Sequence, residues 1–140
     1  MDAILEKNKA IVRKFNHEFI QGRNQQVFDE IVHDQFFNHS VPAGAGNAGK
    51  AGVMQFMQYI WQVFPDLKVE INLQIAEGDL VTTYKTFHGT HEGAFMGIEP
   101  TNKKVSFSSI DIIRILDEQA IEHWSIRDNY SLHQQLIQNG

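Results

Sequence analysis

The 140-residue sequence predicts an α+β fold with a curved, mostly antiparallel sheet, and three observations carry that expectation. Apolar residues recur at helical intervals through the first 64 positions, the period changes to two from residue 68 onward, and the helices precede the strands except for one at the end. Alternating βαβ units would interleave the two periods. A chain of this length buries roughly two thirds of its unfolded surface, so one domain spanning 1–140 is expected.

The first helix is predicted over residues 3–21. Ile4, Leu5, Ile11, Val12, Phe15, Phe19 and Ile20 fall three and four apart there, and Gly22 follows as a stop. A second, shorter helix starts near Asn24 and presents Val27, Phe28, Ile31 and Val32. The stretch "FFNHSVP" then reads as a brief extended segment closed by Pro42. A third helix carries Val53, Phe56, Met57, Ile60, Trp61 and Phe64 on one side and ends at Pro65, whose ring a helix interior does not accommodate.

From residue 68, Val69, Ile71, Leu73 and Ile75 alternate with Lys68, Glu70, Asn72 and Gln74, the signature of a strand with one buried face. Glu77-Gly78-Asp79 supplies turn chemistry, and Leu80 to Gly89 returns as its partner. Residues 104–116 and 120–128 form a second strand pair around Asp117-Glu118-Gln119. A short helix at 132–138 closes the chain, with Ser131 and Gln134 in a capping-box pattern.

Composition excludes several function classes. A net charge of −5, from 12 basic and 17 acidic side chains without a basic run, argues against nucleic acid as a partner. The absence of cysteine removes disulfides, thiolate metal sites and cysteine nucleophiles. The opening Met-Asp-Ala-Ile-Leu-Glu-Lys lacks the basic start and apolar run of a signal peptide, and no stretch of about 18 apolar residues occurs. A soluble, cytoplasmic protein with no membrane partner is expected.

"GAGNAGKA" at 44–51 has the glycine spacing of a dinucleotide fingerprint and approaches a triphosphate loop at Lys50. Both motifs need a parallel strand leading in and a helix leading to another parallel strand, and only the outgoing helix is predicted. Ala51 also stands where a magnesium-binding hydroxyl belongs. The segment is read as a flexible lip between the short strand and the third helix.

Candidate chemistry concentrates in "RILDEQAIEHWSIRDNY", residues 114–130. A bulged type I turn pairs Leu116 with Ala120, Arg114 with Glu122, Ile112 with Trp124, Ile110 with Ile126 and Ser108 with Asp128, all on one face. Asp128 beside Trp124 and Ile126 is a candidate acid–base carboxylate, because apolar surroundings raise a carboxyl pKa. It is equally a candidate cap for the last helix. Arg114 with Glu122 reads first as a structural cross-strand pair, and second as a guanidinium that orients a ligand carbonyl. His39, His91 and Asp128 together would make an acid–base or metal site, although no local spacing enforces it. His17, His33, His123 and His133 are expected on solvated faces. Phe15, Phe19, Phe36, Phe37, Phe56, Trp61 and Phe64 are core candidates, and a curved sheet facing helices leaves a cavity between the layers.

The succession "FF" and His39 at 36–39, "FPDL" at 64–67, "EGD" with Val81 at 77–81, "GTHEG" with Phe95 and Gly97 at 89–97, "RI" with Asp117 at 114–117, and "IEHW" with Asp128 at 121–128 resembles the SnoaL-like polyketide cyclase, or ester cyclase, family over nearly the whole chain. The resemblance implies the cone-shaped α+β barrel of the nuclear transport factor 2-like superfamily: a curved sheet packed on three N-terminal helices, with a short C-terminal helix. It implies a hydrophobic pocket for a small apolar carbonyl or ester, aldol-type cyclisation or a related isomerisation, no metal or organic cofactor, and homodimers formed through the sheet. Asp128 falls on the family's general-base position. His39 and His91 fall on positions that polarise the substrate oxygen. Trp124 is implied as a pocket residue, with Phe15, Phe19, Phe37, Phe56, Ile60, Ile112 and Arg114 as further candidates for the substrate-binding wall. A non-catalytic module holding a small apolar ligand in the same cone is the alternative.

Overall fold

The computed structural model describes residues 2–41 and 49–138. Helix α1 (Asp2–Lys14) runs without a break into a π-helical stretch, Phe15–Gln21, so the single helix expected over 3–21 has two windings. Gly22 ends it, its N–H bonding His17 O at 3.0 Å. Helix α2 (Gln25–Ile31) is capped by Asn24, whose side-chain oxygen accepts the Val27 N–H at 3.2 Å. Strand β1 (Val32–Asn38) follows at once, earlier and longer than the extended segment anticipated. Helix α3 (Gly49–Val63) stops before Pro65. The earlier positions of the glycine-rich lip, including Gly44 and Gly46, lie outside the described residues. Lys50, the cation a phosphate loop would need, bonds Asp29 O at 3.0 Å and lies 3.7 Å from Asp34.

The remaining strands are β2 (Lys68–Glu77), β3 (Leu80–Thr90), β4 (Lys104–Leu116) and β5 (Gln119–Arg127), and helix α4 (Asn129–Ile137) ends the fold. Their order in the sheet is β1-β5-β4-β3-β2. Three pairings are antiparallel and β1 with β5 is parallel. The sheet is thus mixed and open, with β1 and β2 as edges, and it does not close into a barrel. Helices complete the cone.

Packing explains which face the helices choose. Phe19 is fully buried among Phe15, Phe28 and Trp61, with ring centroids 4.7 to 5.5 Å apart, and Trp61 donates its indole N–H to Ile20 O at 2.8 Å. Val81, Val105, Phe107, Ile113 and Ile115 face this layer from β3 and β4. Gly89 lets β3 approach the end of α3, since a Cβ there would sit 2.9 Å from the Phe64 Cβ. Among the described residues no helix is long and apolar enough to cross a membrane.

Candidate functional site

Between the concave sheet face and the helices lies a cavity of about 650 Å³. Phe15 from the π-helical stretch, Phe36 from β1, Phe56 and Ile60 from α3, and Phe87 and Phe107 from the sheet give it aromatic and aliphatic walls. The strands bring Lys85, Ser109, Asp111, His123, Ser125 and Arg127 to it, and Gln55 of α3 and Asn129 at the C-terminal side add further polar groups.

A register shift puts them there. The β4–β5 pairing runs Ile110 with Ile126, Ile112 with Trp124 and Arg114 with Glu122, as expected, but Ile115 then pairs with Ala120, and Leu116 with Gln119. The extra residue, Ile121, changes the parity of β5. Beyond it Glu122, Trp124 and Ile126 turn outward, and His123, Ser125 and Arg127 turn into the cavity. On β3 and β4 the same period of two carries Lys85, Ser109 and Asp111 inward.

Lys85 and Asp111 are both 3 % exposed. Lys85 Nζ lies 2.9 Å from Asp111 Oδ2 and donates to Asn16 Oδ1 at 2.6 Å. Asn16 in turn donates its side-chain N–H to Val12 O at 2.9 Å, which fixes the amide. The π-helical winding therefore supplies the group that orients the lysine. His123 Nε2 lies 3.5 Å from the same Asp111 oxygen. Burial alone would push the Asp111 carboxyl up; the Lys85 ammonium and then His123 outweigh it and hold it down at about 2. Among the described residues Asp111 Oδ1, also buried, has no hydrogen-bond partner. Arg127 stands beside Phe56, its guanidinium carbon 4.8 Å from the ring centroid.

Of the residues picked out from sequence, Phe15, Phe56 and Ile60 line the cavity, and the others are elsewhere. Asp128 is exposed, and its carboxylate accepts the Ser131 N–H at 2.9 Å. It is the N-cap of α4, so Ser131 does not fill that role. His39 is on the outer side of the sheet, stacked on Trp124 with centroids 4.5 Å apart and 2.8 Å from Glu122. Phe37 leans on His39 and is exposed. Arg114 bridges Glu122 and Asp79 at 2.6 Å each, a surface network, while Ile112 pairs with Trp124 on the outward face. Phe19 is core. His91 is fully buried, accepting the Thr101 N–H at Nδ1 at 3.1 Å, and burial pushes its imidazole down. His39, His91 and Asp128 do not meet in the cavity, and among the described residues no group of three potential ligands is placed to hold a metal.

Lys85, Asp111, His123 and Arg127 were not anticipated. The legible signal was a lysine and an aspartate in the middle of strands, between Tyr84 and Thr86 and between Ile110 and Ile112, where a charge is costly unless paired.

Comparisons with known proteins agree with this architecture. Residues 10–136 match the SnoaL-like polyketide cyclase family. The nogalonic acid methyl ester cyclase of Streptomyces nogalater is 26% identical over 106 residues, covering 75% of this chain and 78% of that protein. The crystal structure of IdmH from Streptomyces antibioticus superposes with a TM-score of 0.81 at 26% identity, covering 92% of this chain and 97% of the other. TsrD from Streptomyces laurentii shares the fold, with a TM-score of 0.83 at 23% identity over 94% of this chain and 96% of its own.

Proposed function

The chain belongs to the SnoaL-like polyketide cyclase family, and from that premise we propose that its cavity performs cofactor-independent acid–base chemistry on a small apolar carbonyl or ester compound, with His123 as the proton carrier. The observation that supports this most is that Asp111, the one carboxylate of the cavity wall among the described residues, faces both His123 and Lys85. A carboxylate held down at about 2 is a poor acceptor for a carbon-bound proton. It is well suited to orient an imidazole and to stabilise the imidazolium that forms, as in other histidine–carboxylate pairs.

In this reading a substrate carbon next to a carbonyl gives its proton to His123 Nδ1, which has no protein partner among the described residues. The C–H electron pair becomes an enolate. Lys85 uses two of its three N–H donors on Asn16 and Asp111 and has one left for the enolate oxygen. The enolate carbon attacks a second carbonyl of the same molecule, a C–C bond forms, and the new alkoxide takes the proton back from the imidazolium. Phenyl walls keep water from quenching the enolate.

The test is exchange of α-protons in D₂O, followed by NMR, with a panel of aromatic β-keto esters. Wild type accelerates exchange, and His123→Asn lowers the rate by about 10²-fold or more. Equal rates for the two would reject His123 as the carrier.

The assembly reading is a homodimer formed through the open sheet face. Leu73, Tyr84, Ile110 and Ile126 stand in one cross-strand row there, 55, 40, 50 and 81 % exposed. Burying such a row against a second copy accounts for its apolar character.

A further inference from the structure

The ionisable groups in the cavity wall do not balance. Among the described residues of the wall, Lys85 and Arg127 are cations and Asp111 is the one carboxylate, so with His123 neutral it carries two positive charges against one negative, a net of +1. The protein as a whole carries −5. Lys85 and Asp111 compensate each other directly at 2.9 Å. The surplus is therefore Arg127.

Arg127 is reached from β5 and faces inward opposite Ser109. Among the described residues its guanidinium has no carboxylate within ion-pair distance and no hydrogen-bond acceptor, and its carbon stands 4.8 Å from the centroid of the Phe56 ring. Burial pushes its pKa below the ordinary arginine value, and the charge of Asp111 opposes that shift. A guanidinium has five N–H donors in a planar fork, and a desolvated charge with unmatched donors is costly unless something else matches them. A carboxylate fits the fork with two parallel hydrogen bonds.

We infer that Arg127 is a specificity-determining anchor for a carboxylate on the ligand, so that the cavity selects a free monoanionic apolar acid over the corresponding ester. The acid group sits against the guanidinium near Phe56, and the ring system extends toward Phe15, Phe87 and Phe107 above the Lys85–Asp111 pair. This rests on the reading of the cavity as the substrate site and names the substrate class for it. It also separates this chain from an enzyme whose substrate carries a methyl ester at that point.

Calorimetric titration with 2-naphthoate and with methyl 2-naphthoate at neutral pH tests the inference. Wild type binds the acid about tenfold tighter than the ester, the contribution of one charge-assisted contact. Arg127→Met keeps ester affinity and loses the preference; Arg127→Lys retains part of it, which separates the loss of charge from a failure to fold. Equal or tighter binding of the ester by wild type, no binding of the acid, or an undiminished preference in Arg127→Met would each overturn it. The outcomes are distinguishable from those for the proton carrier. Acid preference without α-proton exchange removes the proposed reaction and leaves the anchor, whereas exchange that His123→Asn abolishes, with no acid preference, does the reverse.

Discussion

Lys85 Nζ and Asp111 Oδ2 lie 2.9 Å apart, each on an inward-facing position of adjacent strands, in a cavity with phenyl and aliphatic walls. Neither is tolerable alone at 3 % exposure. Asn16 accepts a second Lys85 N–H, and His123 approaches the aspartate from β5. The pair thus ties the π-helical stretch, β3, β4 and β5 to one point.

Asp111→Ala leaves the Lys85 ammonium buried without its counter-charge and is expected to cost about 3–5 kcal/mol of stability. The double variant Lys85→Met/Asp111→Leu, which removes both charges at similar volume, recovers most of that loss. Urea unfolding of the wild type and the two variants checks this.

Acid unfolding follows from the same pair. The folded pKa of Asp111, about 2, lies below its ordinary value of 3.8. The ionised form is therefore the one the fold favours, and the stabilisation is complete above about pH 4 and lost as pH falls toward 2, by roughly 2 kcal/mol in all. Denaturation curves between pH 6 and pH 2.5 should show wild type losing stability more steeply than Asp111→Asn.

Asp128 caps α4 through the Ser131 N–H at 2.9 Å. Asp128→Ala is expected to lower stability by about 1 kcal/mol, with Asp128→Asn retaining most of the cap. Neither substitution changes naphthoate affinity, because the carboxylate does not line the cavity. A large loss of affinity in Asp128→Asn would return this residue to the site.

Ile126 is 81 % exposed at the β5 end of the apolar row on the outer sheet face. If two copies pair there, Ile126→Asp places a charge in the interface and the protein elutes as a monomer in size-exclusion chromatography with light scattering. A monomeric wild type at the same concentration would remove the dimer reading.

Most helices and strands were legible because they have a clear period and end at a residue with a stereochemical reason to stop, such as Gly22, Pro65 or Gly78; β1, which follows α2 with no breaker between them, was placed too late. Pairing within the last hairpin was legible as far as Arg114 with Glu122. The site was not, and β5 shows why. Beyond its bulge the inward residues are His123, Ser125 and Arg127, whereas the outward ones include Trp124 and Ile126. A rule that buries the apolar face turns this strand inside out. It accordingly placed Trp124, Ile112 and Asp128 in the cavity and left His123 in solvent.

By itself, the sequence determined the element types, the α+β order and the family, because period, breakers and motif order are local properties of the chain. Only the tertiary structure decided which face of the sheet the helices cover. On β4 the alternation is nearly neutral: Val105, Phe107, Ser109, Asp111, Ile113 and Ile115 face one way, and Ser106, Ser108, Ile110, Ile112, Arg114 and Leu116 the other. The first set packs inward because Phe107 meets Phe64 and because Asp111 finds Lys85 and His123 on neighbouring strands. That compensation joins residues 26 and 12 positions away in sequence, so no local pattern contains it.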